Sequence, residues 1–150
     1  MGFNYTAVDQ PEGVTRSRIA RGRCLVAEED EVVVGTIMFY PPGHSRGCAC
    51  YERPDVATIG QFRVRPGQQG SGVGTRLLRA AEDLALASGA AELALDTSEG
   101  ADHLVAWYGR EGFRFVEYAQ WGGKTYRSII TSKRLSVGEG RVPVRGVGSC

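Results

Sequence analysis

The sequence lacks several features that would assign it to a class of protein at once. Its 150 residues contain 18 basic and 17 acidic residues, which leave a net charge of +1, and no run of like charge is of the kind that indicates a nucleic-acid or membrane patch. Such a balance argues against a surface for nucleic acid or membranes. No basic segment followed by an apolar one and a cleavage site opens the chain, and no apolar run approaches the length of a membrane span. We therefore expect a cytoplasmic protein with neither nucleic acid nor membrane as a partner.

The cysteines do not form a recognisable framework either. Cys24, Cys48, Cys50 and Cys150 are spaced neither as a set of disulfides nor as paired C-x-x-C metal ligands. Reduced thiols and no metal are therefore expected, with Cys24 buried in a strand as a structural residue. His44 could join Cys48 and Cys50 in a metal cluster, but a flexible loop is the favoured interpretation of this stretch.

The length of the chain predicts one domain, since a protein of this size can bury ~68–70% of its unfolded surface. We expect a single domain over residues 1–135. Residues 136–150 are rich in Gly and Val with little periodicity, so we expect a disordered tail there. No internal repeat is visible.

The pattern of elements predicts an α/β domain with a mixed sheet. One helix is expected within residues 11–21, and an acidic turn at 29–31 should join the first two strands as a hairpin. Gly122 and Gly123 predict a two-residue turn between the last two strands. The expected elements, in order, are strands 22–28, 32–40 and 56–64, a helix from 73 to a C-cap at Gly89, strand 91–97, helix 101–110, and strands 113–120 and 124–132.

The longer helix has an apolar face and a polar one. Because it lies between two strands, it predicts a parallel crossover. The apolar face comprises Val73, Leu77, Leu78, Ala81, Leu84 and Ala85, and the polar face is expected to carry Arg76, Arg79, Glu82 and Asp83.

The most informative stretch is the turn that leads into this helix. After Pro66, glycines recur at alternate positions, at Gly70, Gly72 and Gly74. The first amides of a helix have no intrahelical acceptor, and residues without Cβ atoms let an anion approach the backbone, so this turn predicts a phosphate site. It lacks the Gly-Lys-[Ser/Thr] of the nucleotide-triphosphate loop and the two-residue spacing of the last two glycines in the dinucleotide fingerprint.

Two segments resemble the GCN5-related N-acetyltransferase (GNAT) superfamily. Gln69-x-x-Gly72-x-Gly74 is similar to the loop with which that family binds the pyrophosphate of acyl-CoA, and Tyr108 stands four residues before Gly112-Phe113, as a Tyr does in a later segment of the family. The resemblance covers about residues 23–133. It implies a mostly antiparallel central sheet of mixed direction flanked by helices, an α+β arrangement.

The resemblance also implies the site. Acetyl-CoA would be the cosubstrate, with no metal, and the backbone of Phe62 and Val64 would pair with its pantetheine arm. Tyr108 would be the general acid that protonates the leaving thiolate, because a phenol with a reference pKa near ~10 keeps its proton at neutral pH. The residues expected to hold the pyrophosphate are Gln69, Gly70, Ser71, Gly72, Val73, Gly74 and Thr75.

The implied function is an acetyl-CoA-dependent N-acetyltransferase in which a primary amine, on a small molecule or a peptide, attacks the thioester directly. Neither motif contains a cysteine, which argues against an acyl-enzyme route. The alternatives are a non-catalytic acyl-CoA-binding or regulatory module of the same fold and an unrelated phosphate-binding domain.

The sequence departs from the family in three places. The strand before the glycine turn has no residue able to act as a base, and Asp96, Glu99 and His103 are the candidates to replace it through water. The Asn that often precedes the Tyr by seven residues is Ala101 here, which leaves one contact to the cofactor in doubt. Only about twenty residues precede residue 22, where the family has a strand and one or two helices, so either the acceptor site is unusually open or a second subunit completes it, and we expect a homodimer. Candidate acceptor residues are Tyr5, Arg18, Trp121, Tyr126 and Arg127.

Overall fold

The structure is a computed structural model that describes residues 4–7 and 22–136. In these ranges the chain forms seven strands, two α-helices and a short 3₁₀ turn at Pro66–Gln68. The expected helix at 11–21 and residues 137–150 of the expected tail lie outside the described residues. The strands are β1 (Asn4–Ala7), β2 (Arg23–Glu29), β3 (Val32–Tyr40), β4 (Val56–Val64), β5 (Glu92–Ser98), β6 (Arg114–Ala119) and β7 (Ser128–Arg134), and the helices are α1 (Val73–Ala87) and α2 (Asp102–Arg110).

The strands form one mixed sheet in the order β1-β2-β3-β4-β5-β7-β6. Only β4 and β5 are parallel; the other neighbours are antiparallel. The mixed, mostly antiparallel sheet and the parallel crossover through α1 are confirmed. The hairpin between β2 and β3 is confirmed too, and Asp30 and Glu31 both have a positive φ (52° and 66°), as the tight turns that match strand twist require.

Helix α1 packs its apolar face on the sheet, where Leu77, Leu78 and Ala81 are fully buried in the main core. The helix ends at Gly89 as predicted, although Ser88 is the C-cap residue and Gly89 follows it with a left-handed φ of 84°. Glu82 and Asp83 were expected on the polar face opposite the core, but both are buried. Glu82 is tolerated there because Lys133 donates to its carboxylate at 3.1 Å and Arg79 at 2.9 Å.

The last two strands are antiparallel, but the predicted two-residue turn between them was wrong. β6 ends at Ala119 and β7 begins at Ser128, so a longer loop joins them. The side-chain amide of Gln120 donates to the carbonyls of Lys124 (2.9 Å) and Tyr126 (3.1 Å), and these bonds stabilise the wider loop.

Strands β4 and β5 pair only at their beginnings. The parallel register runs from Val56 opposite Glu92 to Thr58 opposite Ala94, and beyond those residues the two strands separate. On its other side β4 carries an irregularity opposite β3, and Gln61 has a φ of 48° there. A bulge of this kind turns a side chain in a new direction. A gap therefore opens in the middle of the sheet between the second halves of β4 and β5.

No helix in the described part of the chain combines the length and the apolar character needed to span a membrane.

Candidate active site

The glycine turn lies at the N-terminus of α1, as the sequence predicts. Gly72 is the N-cap residue in a left-handed conformation (φ 92°), and Gly70 is left-handed as well (φ 84°). A Cβ at either position would meet no atom within 4 Å, so the space in front of both residues is open. No side chain caps the helix and no acidic residue lies in its first turn. The positive end of the helix dipole is therefore left for an external anion.

The amides of this turn fall into two groups. Those of Gln68, Gln69 and Ser71 donate within the turn, to Arg65 O (2.8 Å), Pro66 O (3.4 Å) and Gln68 O (3.2 Å). The amides of Gly70 and of residues 72–75 have no acceptor among the described residues, and the first bond of the helix is from Arg76 N to Gly72 O at 3.0 Å. The donors that face outward are thus concentrated at Gly70 and the first helical turn.

The turn is joined to β4 and α2 by apolar contacts. A Cβ at Gly74 would lie 3.6 Å from Val64 Cγ2, 3.7 Å from Phe62 Cζ and 3.7 Å from Trp107 Cζ2, which is ordinary contact distance. Phe62 in turn packs edge-on against Trp107 at a centroid distance of 5.9 Å. The residues expected to bind the cofactor are therefore brought together on one face of the sheet.

Tyr108 lies on the same face. Its ring packs against Phe62 (6.4 Å), Trp107 (5.0 Å) and Phe113 (5.6 Å), and the residue is 7% exposed. Burial raises the pKa of its hydroxyl above the usual range, and the negative charge of Asp96 raises this pKa further. No other described residue forms a hydrogen bond with the hydroxyl. The phenol thus keeps its proton at neutral pH and has a free donor.

A cleft of about 810 Å³ opens at the end of the gap between β4 and β5. Gln61 from β4 and Asp96 from β5 line it, so both flank the place where the strands have separated. Tyr51 Oη donates to Asp96 Oδ1 at 2.8 Å, and Trp121 Nε1 donates to Asp96 Oδ2 at 3.2 Å. Each carboxylate oxygen is therefore held by one neutral donor.

Much of the wall of this cleft comes from residues 41–55. We expected a flexible loop here, but the second half of the segment is packed against the sheet. Cys48, Cys50 and Tyr51 are buried in a second apolar cluster, and the amide of Cys50 donates to Glu117 Oε2 at 3.0 Å. Burial raises the pKa of the Cys50 thiol to about 11, so this cysteine is a packing residue rather than a nucleophile. No group of side chains suited to a metal ion occurs among the described residues. Cys24 is buried, as expected.

Only some of the candidates for the base and for the acceptor site line the cleft. Of the three possible bases, Asp96 lines the cleft, whereas Glu99 is paired with Arg127 at 3.0 Å and His103 is an exposed residue of α2. Among the acceptor candidates Trp121 lines the cleft. Tyr126 and Arg127 are not part of its lining, Tyr5 is described only as a backbone position in β1, and Arg18 lies outside the described residues.

The sequence did not reveal Tyr40, Arg46, Tyr51 or Gln61 as residues of the cleft. They come from the end of β3, the following loop and the bulge in β4, and none belongs to a motif. The available signal was a group of aromatic residues and an arginine in and beside a loop that contains Gly and Pro. Only the folded sheet, however, shows that Asp96 faces these residues.

Comparison with known proteins identifies the family. Residues 3–113 match the family model described as "Acetyltransferase (GNAT) family". No curated protein sequence matches the chain.

Solved structures share the fold at low sequence identity. A GNAT family acetyltransferase from Elizabethkingia anophelis with acetyl-CoA bound has a TM-score of 0.67 and 15% identity, over 89% of this chain and 97% of that one. A Bacillus subtilis acetyltransferase in complex with CoA has a TM-score of 0.68 and 16% identity, over 90% and 100%. The IAA acetyltransferase from Bacillus cereus has a TM-score of 0.63 and 23% identity, over 81% and 83%. At such identities the likeness shows the fold alone.

Proposed function

The chain belongs to the acetyltransferase (GNAT) family, an enzyme family of acetyl-CoA-dependent N-acetyltransferases, and we propose that it acetylates a primary amine by direct attack on the thioester. The observation that supports this most is the placement of two half-sites at one gap in the sheet. The glycine turn and Tyr108 lie on one face, and the cleft with Asp96 opens beside the separated ends of β4 and β5. An amine entering from the cleft would meet an acyl group held on the other side.

The glycine turn fits the diphosphate of acetyl-CoA. Several outward amides, a positive helix end without an acidic neighbour and open space where Cβ atoms would stand are what a diphosphate needs. Gly70 and residues 72–75 would donate backbone bonds, whereas Gln69 and Ser71, whose amides are engaged, would line the turn. The backbone of Phe62 and Val64 would pair with the pantetheine arm along the edge of β4 left open by β5.

Two side chains would move the protons. Amine nitrogen bonds to the carbonyl carbon while the carbon–sulfur bond breaks. An alkylammonium must lose two protons: Asp96 accepts the first, directly or through one water, and the second passes to solvent as the amide forms, while Tyr108 donates the proton that the departing sulfur gains. Both groups return to their starting state by exchange with solvent, so the proton count balances. Neither step needs a metal or a covalent enzyme intermediate.

The role of Asp96 is tested by Asp96→Asn. An amide cannot take the proton, so kcat/KM for an alkylamine should fall about a hundredfold. For a hydrazide, whose nitrogen is neutral at pH 7, kcat/KM should fall far less. Thiol release measures both, and Asp30→Asn, in the exposed hairpin turn, is the matched control. Equal losses with the two acceptors, at unchanged acetyl-CoA affinity, would contradict the role.

The rival function is a module that binds acyl-CoA without turnover. Binding of acetyl-CoA by the wild-type protein, with no thiol release across small amines and peptides, would favour it. We also propose a cytoplasmic homodimer, whose second subunit would contribute to the acceptor site. Sedimentation showing a monomer at micromolar concentration would count against the dimer.

A further inference from the structure

The cleft beside Asp96 contains a second charge of opposite sign. Arg46 lines the same cleft, and no ion pair joins it to Asp96 or to any other described residue. Other arginines at the surface do have partners, for example Arg53 with Asp55 (2.9 Å) and Arg127 with Glu99 (3.0 Å). Among the residues that the structure describes, Arg46 is therefore a cation of the cleft without an ion-pair partner.

Asp96 has a fixed orientation between two rings. Tyr51 is buried and stacks on Trp121 with a centroid distance of 5.9 Å and an interplanar angle of 30°, and both rings donate to the carboxylate. The loop backbone lies directly under the indole, because a Cβ at Gly47 would overlap the Trp121 ring. The two donors are neutral, so the negative charge of Asp96 is oriented without being neutralised.

The charges of the cleft discriminate between kinds of amine. A polyamine would place one cationic group near Asp96 and another near Arg46, and like charges brought together are unfavourable. A molecule with an ammonium at one end and an acid at the other would satisfy both. The aromatic walls, formed by Tyr40, Tyr51 and Trp121, would cover an apolar or aromatic side chain between the two ends.

We propose that the acceptor is a small amino acid-like molecule, whose amine lies at Asp96 and whose carboxylate or similar acid group is bound by Arg46. His44 lines the cleft on the same loop and would add a second donor for that acid group. Guanidinium and carboxylate form paired hydrogen bonds that fix orientation, so Arg46 would select the acceptor and aim its nitrogen. This inference rests on the proposed acetyltransferase function and narrows its substrate class.

The test compares acceptors that differ only in the acid group. Initial rates of thiol release are measured with α-, β- and γ-amino carboxylates, phenylalanine among them, and with the amines that lack only the carboxylate, such as 2-phenylethylamine. The wild-type protein should prefer the best amino acid over its counterpart by about tenfold in kcat/KM, as expected for a charged hydrogen-bonded pair at a partly open site.

Variants assign that preference to Arg46. Arg46→Gln should remove it by raising KM for the amino acid without raising KM for the acid-free amine, and Arg46→Lys should keep part of it. Arg114→Gln, an exposed arginine on β6 outside the cleft, should change neither.

Other results would overturn this inference alone or both proposals. Acetylation of acid-free amines alone, or an undiminished preference in Arg46→Gln, would overturn this inference and leave the acetyltransferase function standing. Absence of thiol release with every amine, together with absence of acetyl-CoA binding in calorimetry, would overturn both.

Discussion

Tyr108 is enclosed by aromatic rings, and only its hydroxyl remains available for chemistry. Phe62, Trp107 and Phe113 fix the ring, and no described residue holds the hydroxyl. The arrangement explains the spacing that singled out Tyr108 in the sequence. Gly112 has a φ of 101°, which lets the chain turn back after α2, and Phe113 then packs against the Tyr108 ring.

Tyr108→Phe should lower kcat about a hundredfold, because the ring contacts stay while the donated proton is lost. The affinity for acetyl-CoA and the thermal stability should change little. Thiol-release kinetics and calorimetry measure these quantities. Tyr118→Phe, an exposed tyrosine of β6, is the control. Full activity in Tyr108→Phe would remove the general acid from the mechanism.

The raised pKa of Tyr108 also has a consequence for the pH dependence of the rate. A group whose pKa is raised stays protonated to higher pH, so the donor form persists through the alkaline range where an ordinary tyrosine, with a pKa near ~10, begins to ionise. The kcat profile should therefore have no descending limb due to Tyr108 between about pH 8 and 10. A limb in that range that disappears in Tyr108→Phe would contradict this.

Among single residues of the candidate site, the sequence singled out those that belong to motifs and few of the residues outside motifs. Motif spacing identified the glycines and Tyr108, and Asp96 was one of three possible bases. The acceptor cleft combines the end of β3, the loop to residue 55, β5 and Trp121, which are far apart along the chain. Contacts of that range depend on the order of strands in the sheet, and periodicity does not contain that order.

Helix α1 is flanked at each end by a glycine in a left-handed conformation. Comparing the two glycines distinguishes the effect of a substitution on stability from its effect on cofactor binding. Gly72 and Gly89 have similar φ values (92° and 84°), and a Cβ at either would meet nothing within 4 Å. An L-residue in that conformation costs about 1 kcal/mol at either end. Only Gly72, however, lies among the outward amides.

Gly72→Ala and Gly89→Ala should therefore lose similar stability, about 1 kcal/mol each, measured by urea unfolding. Only Gly72→Ala should weaken binding of coenzyme A, about tenfold in calorimetry, because the new Cβ stands where the phosphate must approach the backbone. Equal affinities in the two variants would show that the turn does not hold the cofactor.

The elements themselves were predictable where the hydrophobic pattern was strong. Strands β2 to β5, the apolar face of α1 and the helix end at Gly89 follow from local periodicity and turn chemistry. The turn between β6 and β7 did not, because Gln120 stabilises a wider loop with side-chain bonds that a Gly-Gly pair does not announce. The burial of Glu82 was missed because its partner is 51 residues away on β7.

The ion pair between Glu82 and Lys133 connects parts of the molecule that are far apart in the sequence. Glu82 on α1 is fully buried and accepts from Lys133 on β7, while Arg79 bridges Glu82 to Glu111 beyond the end of α2 at 3.0 Å. Gly112 leaves room for the Lys133 side chain, since a Cβ there would lie 3.2 Å from Lys133 Cε. The network therefore ties both helices to the last part of the sheet, next to the Tyr108 segment.

Glu82→Gln should lower the free energy of unfolding by about 2 kcal/mol. Removing one member of a buried pair leaves a charge without its partner, and the partial exposure of Lys133 limits the loss. Urea unfolding measures it, with the exposed Glu52→Gln as control. If the double variant Glu82→Gln, Lys133→Met is no more stable than the sum of the two single losses predicts, the pair is not coupled.

The proposed activity requires the glycine turn to hold a diphosphate at the opened sheet, and calorimetry with coenzyme A and with pantetheine tests this most directly. Pantetheine shares the arm but has no diphosphate. The wild-type protein should bind coenzyme A at least about a hundredfold more tightly than pantetheine, since each charged hydrogen bond adds about 1.5–3 kcal/mol. Equal affinity for the two, or no binding of coenzyme A, would contradict the account.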